Sequence, residues 1–170
     1  MKARKTSMTN EILSLLEEPP RAFALINGID GIEGNVTFYD YQGKLVMIYQ
    51  VNHLPKSDRC QGGIFGFHIH EGGSCSGSAN EPFAGTKGHF NPNNCPHPYH
   101  LGDLPPLFAT QGTAWGMVYI DKLNVEEIMG KTIVIHNRAD DFQSQPSGNS
   151  GEKIACGFIQ RFSLIQPREK

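Results

Sequence analysis

Between Ile32 and Tyr39 apolar and polar residues alternate. Ile32, Gly34, Val36 and Phe38 fall on one side, and Glu33, Asn35, Thr37 and Tyr39 on the other. A period of two is that of a half-buried β-strand. Residues 22–27 (AFALIN) and 44–51 (KLVMIYQV) also read as strands, set off by the turn signals Asn27-Gly28 and Gln42-Gly43. Further strands are predicted at 62–70, 112–120, 131–136 and 154–163. Residues 9–18 suit a short helix with Ile12, Leu13 and Leu16 on one side, ended by Pro19-Pro20. A short turn of helix fits 122–130 (KLNVEEIMG). Two stretches, 71–111 and 137–153, hold no periodic run, and structureless connections of that length usually carry function. Short strands around two long loops predict an all-β antiparallel barrel or sandwich.

Composition narrows this further. The 170 residues fit one domain. With 19 glycines and 11 prolines the chain is rich in turns, which argues against a helix bundle. A net charge of −2 gives no basic surface for nucleic acid, so no nucleic-acid partner is expected. No apolar run approaches the ~18–20 residues of a membrane span, so no membrane partner is expected either. In MKARKTSMTNEILSLLEEPP the apolar residues come in pairs, where a secretory signal needs roughly 7–15 in a row. A cytoplasmic location is the resulting expectation. Four cysteines allow one or two disulfides.

The seven histidines are unevenly spread. His53, in VNHLP, reads as an ordinary turn or surface histidine. In IFGFHIH (64–70) Phe65, Phe67 and Ile69 point one way, and Gly66, His68 and His70 the other. Two imidazoles two residues apart on one pleated face lie close enough to chelate one metal. TIVIH (132–136) repeats the logic, with Ile133 and Ile135 opposite Thr132, Val134 and His136. In GHFNPNNCPHPYHLGD (88–103), His97, His100 and Asp103 are spaced by three, and prolines 96 and 98 restrict the backbone between them. Two imidazoles and a carboxylate suit zinc.

The blocks GFHIHEGGSCSG, GHFNP, HLGDL, VIHNRADD and GNSGEKIACGFI, in this order, resemble the signature blocks of copper–zinc superoxide dismutase. They cover about residues 62–160. The resemblance implies an eight-stranded Greek-key barrel or sandwich of immunoglobulin-like kind over 21–165, with long metal-binding and electrostatic loops, behind a short helical extension at 1–20. It implies dismutation of superoxide to dioxygen and hydrogen peroxide by a redox-cycling copper, bridged through an imidazolate to a structural zinc. Carried over by motif, the copper ligands are His68, His70, His89 and His136, and the zinc ligands His89, His97, His100 and Asp103. Six histidines and one aspartate, with one ring counted twice, then fill eight coordination positions, enough for two four-coordinate ions. His89 is the implied proton relay. By the same resemblance Asp140 joins one copper histidine to one zinc histidine, and Cys75 pairs with Cys156. Cys60 and Cys95 fall outside the family pattern: a second bridge and two free thiols are both open, as is Cys95 as a zinc ligand.

One departure stands out. Where the family carries an arginine three residues before the second cysteine, guarding the copper channel, this chain has Lys153. The charge is kept but the planar fork is lost, so a looser anion gate is expected. The 71–88 and 137–155 segments are also short for the family. These features keep a second class open: a low-turnover copper- and zinc-binding module, serving as a metal store or metallation partner. A cupin-type site fits poorly, because Glu71 follows His70 directly and His97, His100 and Asp103 would be idle. Trp115, Met117 and Tyr119 in AWGMVY suit barrel packing and a homodimer contact equally.

Overall fold

The structure is a computed structural model that describes residues 7–56, 58, 60 and 62–163. Residues 1–6 of the expected extension, and residues 164 and 165 of the expected domain, lie outside these. The elements are α1 (Met8–Leu15), β1 (Ala22–Gly28), β2 (Glu33–Tyr41), β3 (Lys44–Asn52), β4 (Ile64–Phe65), β5 (Phe67–His70), β6 (Leu107–Thr110), β7 (Thr113–Ile120), α2 (Val125–Ile128), β8 (Thr132–His136), β9 (Lys153–Phe158) and β10 (Gln160–Arg161).

Every pairing is antiparallel, in the order β4-β6-β7-β3-β2-β1-β9-β8-β5, with β10 on β1. The two ends of that path are one run of chain. At Gly66 the run changes neighbours: β4 pairs with β6, while β5 pairs with β8. Gly66 N–H donates to Arg138 O at 2.6 Å and its carbonyl accepts from His136 N–H at 2.9 Å. The sheet thereby closes almost completely, which removes exposed edges. Joining β4 to β5 across Gly66, and β9 to β10 across Ile159, gives the expected eight strands. Because β3 neighbours β7 and β1 neighbours β9, the connections are Greek-key crossovers.

The predicted strands are present, and one was missed. β6 lies inside the stretch read as structureless, because LFAT is only four residues long and follows Pro105-Pro106. It pairs with β7 through a tight turn in which Gln111 and Gly112 both have positive φ. The helix is shorter than 9–18. Its packed stripe is buried Ile12 with half-buried Leu15 and Leu16, which meet Tyr39, Val46, Tyr41 and Ile48 of the barrel's outer surface. Leu13, expected on that stripe, is 55% exposed, since the i, i+3, i+4 positions from Ile12 fix which face meets the sheet. The helical turn at 122–130 is α2, closed by a capping box between Asn124 and Glu127.

Phe38, Leu45, Met47, Phe67, Ile69, Leu107, Ile133 and Ile135 fill the barrel interior. Each such side chain contributes roughly 1.5–3 kcal/mol on leaving water. Trp115, Met117 and Tyr119 point outward and are exposed, so the barrel-packing alternative for them is set aside. Among the described residues no helix is long and apolar enough to cross a membrane.

The opposite face of β5 and β8 is buried as well, because the two long loops lie over it. The 71–106 loop runs along β5: Ile69 N–H donates to Gly102 O (2.9 Å), Phe90 N–H to Ile69 O (2.8 Å) and Gly102 N–H to Phe90 O (2.9 Å). A Cβ on Gly102 would run into the Ile69 carbonyl and lie 3.0 Å from Phe90 N, so this close approach requires glycine. A Cys75–Cys156 disulfide ties the start of the same loop to β9.

Candidate metal centre

Strand pleating brings His68 and His70 of β5 and His136 of β8 to the covered face, and the loop bridge between His70 and His89 adds a fourth imidazole. One donor atom from each of these four lies within 4.8 Å of the others. The same holds for His89, His97, His100 and Asp103. His89 belongs to both groups. All seven side chains are nearly or fully withdrawn from solvent.

Hydrogen bonds to groups that can only accept fix which ring nitrogen carries a proton. His68 Nε2–H donates to Asp140 Oδ2 at 2.7 Å and His97 Nε2–H to Asp140 Oδ1 at 2.9 Å. His70 Nδ1–H donates to Lys87 O at 2.9 Å and His136 Nδ1–H to Gly151 O at 3.1 Å. The lone pairs left over are those of His68 Nδ1, His70 Nε2, His136 Nε2 and His97 Nδ1. Of these, His68 Nδ1 and His97 Nδ1 are buried with no hydrogen-bond partner, as is His89 Nε2. His97 Nδ1 lies 3.0 Å from Asp103 Oδ2 without hydrogen-bond geometry, as two lone pairs aimed at a shared centre do.

The spacings test whether metals fit. A tetrahedral ion with bonds of about 2.0–2.1 Å separates neighbouring donors by about 3.3–3.4 Å. His70 Nε2 and His136 Nε2 are 3.3 Å apart, His89 Nδ1 and His100 Nδ1 3.4 Å, and His100 Nδ1 and Asp103 Oδ1 3.3 Å, whereas Asp103 draws closer to His89 Nδ1, at 2.8 Å in a hydrogen bond, and to His97 Nδ1, at 3.0 Å. Orphaned buried nitrogens and ion-sized spacings agree: both groups have the donors, and the room, for a cation. Four imidazoles suit copper, and three imidazoles with a carboxylate suit zinc.

Electrostatics point the same way. Burial pushes the histidines toward their neutral, metal-binding form: His68 is lowered, His70 lowered well below the usual imidazole range, and His136 lowered to about 3. Burial alone would raise the Asp140 carboxyl, yet hydrogen bonds from His68, from Phe142 N–H and from His97 hold it at about 2. As an anion it keeps both imidazoles in one tautomer and orientation. Gly148, at φ +66°, presses on this bridge: a Cβ there would overlap the Asp140 carboxylate and lie 2.6 Å from His97 Nε2.

Lys153 opens β9 beside the four-imidazole group. Its Nζ donates to Lys87 O at 3.0 Å, the carbonyl that also receives His70 Nδ1–H, and to Phe83 O at 3.5 Å. Burial lowers its proton affinity, which the Glu81 carboxylate partly restores. Lys153 also lines a cavity of about 420 Å³ with Glu81, Phe83 and Glu152.

Cys60 and Cys95 are free thiols here, so the second bridge is not formed. Cys60 is exposed before β4, whereas Cys95 is half-buried in a turn held by Asn91, whose side chain bonds both Cys95 N–H and O at 2.9 Å. Cys95 is in neither four-donor group among the described residues. His53 is an exposed turn residue bonded to Gly31 O, as read from sequence. Four contributors escaped the sequence reading. The carbonyls of Lys87 and Gly151 carry no side-chain signal. Gln145 and Lys122, which bond the backbones of His97 and His100, belong to no motif.

Similarity to known proteins agrees with this geometry. The profile of the copper/zinc superoxide dismutase (SODC) family matches residues 32–159. The chain is 36% identical over 125 residues to the superoxide dismutase-like protein YojM of Bacillus subtilis, covering 63% of this chain and 61% of that protein. It is 34% identical over 126 residues to the Cu-Zn superoxide dismutase of Photobacterium leiognathi (66% and 73%). It is also 30% identical over 161 residues to the copper chaperone for superoxide dismutase of Mus musculus (87% and 56%). The chain thus spans about three-fifths of the length of the Bacillus relative and just over half of the mouse one. With the matched region running from β2 to the end of β9 and taking in both donor groups, the chain belongs to the copper/zinc superoxide dismutase family.

Proposed function

We propose that the 21–165 domain dismutates superoxide, consuming two superoxide anions and two protons and releasing dioxygen and hydrogen peroxide. Copper would be held by His68 Nδ1, His70 Nε2, His89 Nε2 and His136 Nε2. Zinc would be held by His89, His97 and His100 through Nδ1 and by the Asp103 carboxylate. When bound, copper supplies a one-electron centre that accepts from one superoxide and donates to the next, and zinc a fixed positive charge. The single observation that carries this reading is His89, which lies in both donor groups with Nε2 buried and unpartnered.

The chain's own residues do the rest. His89 Nε2, buried and unpartnered, is the ring atom that would hold a proton and pass it to the reduced oxygen species. Asp140 and the Lys87 and Gly151 carbonyls keep the other rings in the tautomers that present lone pairs. Lys153 draws in the anion: two of the three N–H donors of its ammonium go to Lys87 O and Phe83 O, leaving the third for superoxide. A diatomic substrate needs no large pocket. The 530 Å³ cavity between α1 and the ends of β2 and β10 includes none of the histidines.

A second reading, a metal-binding module with little turnover, is favoured by the similarity to a copper chaperone and by Lys153 in the family's arginine position. Titrating copper into zinc-loaded protein while following superoxide decay separates the two. Decay that accelerates in proportion to bound copper supports the enzyme. A fully loaded sample no faster than buffer rejects it in favour of the module.

A further inference from the structure

The stretch from Asn91 to His100 contains no helix or strand, yet it must present two donors of one group, His97 and His100. The main chain at both positions is gripped from outside the loop. Gln145, in the 137–152 connection, meets His97 twice: its Oε1 accepts from His97 N–H at 2.9 Å and its Nε2 donates to His97 O at 2.8 Å. One side-chain amide thus satisfies both backbone groups of one residue, as a neighbouring strand would. Lys122, in the turn after β7, donates from Nζ to His100 O at 2.7 Å. Neither contact touches a ring nitrogen, so both can persist with or without a metal.

The physical consequence follows from ordering entropy. Fixing a loop residue's backbone costs conformational entropy, and a site whose ligands must be ordered on binding loses that from its affinity. Contacts that hold the main chain independently of the ligand bonds would remove that penalty beforehand. The connection that carries Gln145 also carries Asp140, so His97 is held by its ring and by its main chain from the same side.

We propose that Gln145 and Lys122 are positioning residues for zinc: they fix the backbones of His97 and His100 so that both rings stand ready before the ion arrives. This rests on the assignment of those histidines to zinc.

The test compares wild-type full-length chain with Gln145→Met and Lys122→Met, and with Lys122→Arg, which keeps a donor. Zinc affinity is read by competition with a chromophoric chelator. Cobalt(II) absorption reports tetrahedral geometry, and thermal midpoints are taken with and without zinc. The two Met variants should bind zinc on the order of ten- to a hundredfold more weakly, with a weakened cobalt spectrum and a smaller thermal gain on zinc saturation, and Lys122→Arg should recover most of the loss. Gln145→Asn, one methylene short, carries the same expectation if Gln145→Met does not fold. Zinc affinity within about threefold of wild type, even with a lower metal-free midpoint, marks these contacts as merely structural and overturns the proposal. A wild-type chain giving no tetrahedral cobalt spectrum overturns the zinc assignment and the proposal with it, whereas a normal wild-type spectrum with unchanged variants overturns the proposal alone.

Discussion

Replacing Cys75 and Cys156 by serine should remove a large share of the stability of the metal-free protein. The bridge joins residues 81 apart in sequence. In the chain-entropy description, closing a loop of that length costs the unfolded chain about 4.5 kcal/mol at 25 °C. Typical domains are stable by about 5–15 kcal/mol, so the bridge should supply about 30% of the total or more. Urea unfolding of metal-free protein isolates this term, because no bound ion then shifts the equilibrium. A second effect should appear at the site. The bridged loop brings the Lys87 carbonyl to His70 Nδ1–H and to Lys153, and loosening it should weaken copper binding about tenfold. A loss below about 1 kcal/mol at an unchanged m-value would refute the reasoning, since it would mean that the unfolded chain is not appreciably constrained by the bridge.

Other perturbations probe the remaining parts of the site. Gly148→Ala should cost about 1–2 kcal/mol for its left-handed backbone and, by driving the new Cβ into the Asp140–His97 bridge, weaken zinc on the order of tenfold. Calorimetric titration giving wild-type zinc affinity would contradict this. Acid should destabilise the metal-free protein: His68, His70 and His136 have lowered proton affinity when folded, so below the free imidazole value the unfolded chain binds more protons. The stability they supply is complete above about pH 6.5 and is lost as pH falls toward the folded values, about 3 for His136. The slope is about 1.4 kcal/mol per pH unit for each histidine that titrates in this way. Urea midpoints that stay flat from pH 7 to 5 would contradict it. For Lys153→Met, superoxide consumption by metal-loaded protein should fall about tenfold at low ionic strength and become less sensitive to salt. Stopped-flow decay that keeps the wild-type salt dependence would remove Lys153 from the steering role.

Much of the fold was legible because it rests on period-two patterning. Phe65, Phe67 and Ile69 announce the core face of their strand, and His68 and His70 announce the other face, because pleating fixes side-chain direction whatever the loops do. β6 escaped because four residues behind two prolines make too short a run to show a period. Leu13 was misplaced because a helix of two turns offers several apolar stripes, and only contact with Tyr39 and Val46 selects one. At the site, ligand side chains stand out by type and spacing, and the family motifs name them. Their supports do not stand out. The Lys87 and Gly151 carbonyls belong to the backbone, and Gln145 reaches His97 across 48 positions of sequence. Gly148 reveals its role only when a Cβ is placed among its neighbours.

His89 as a ligand shared by two ions is the central claim, and electron paramagnetic resonance of zinc-free protein loaded with cupric ion tests it most directly. An imidazolate joining two cupric ions couples their spins antiferromagnetically. The first equivalent should give a mononuclear signal, and the second should quench it at low temperature. A second equivalent that simply doubles the signal would place the two ions on separate ligands and contradict the account.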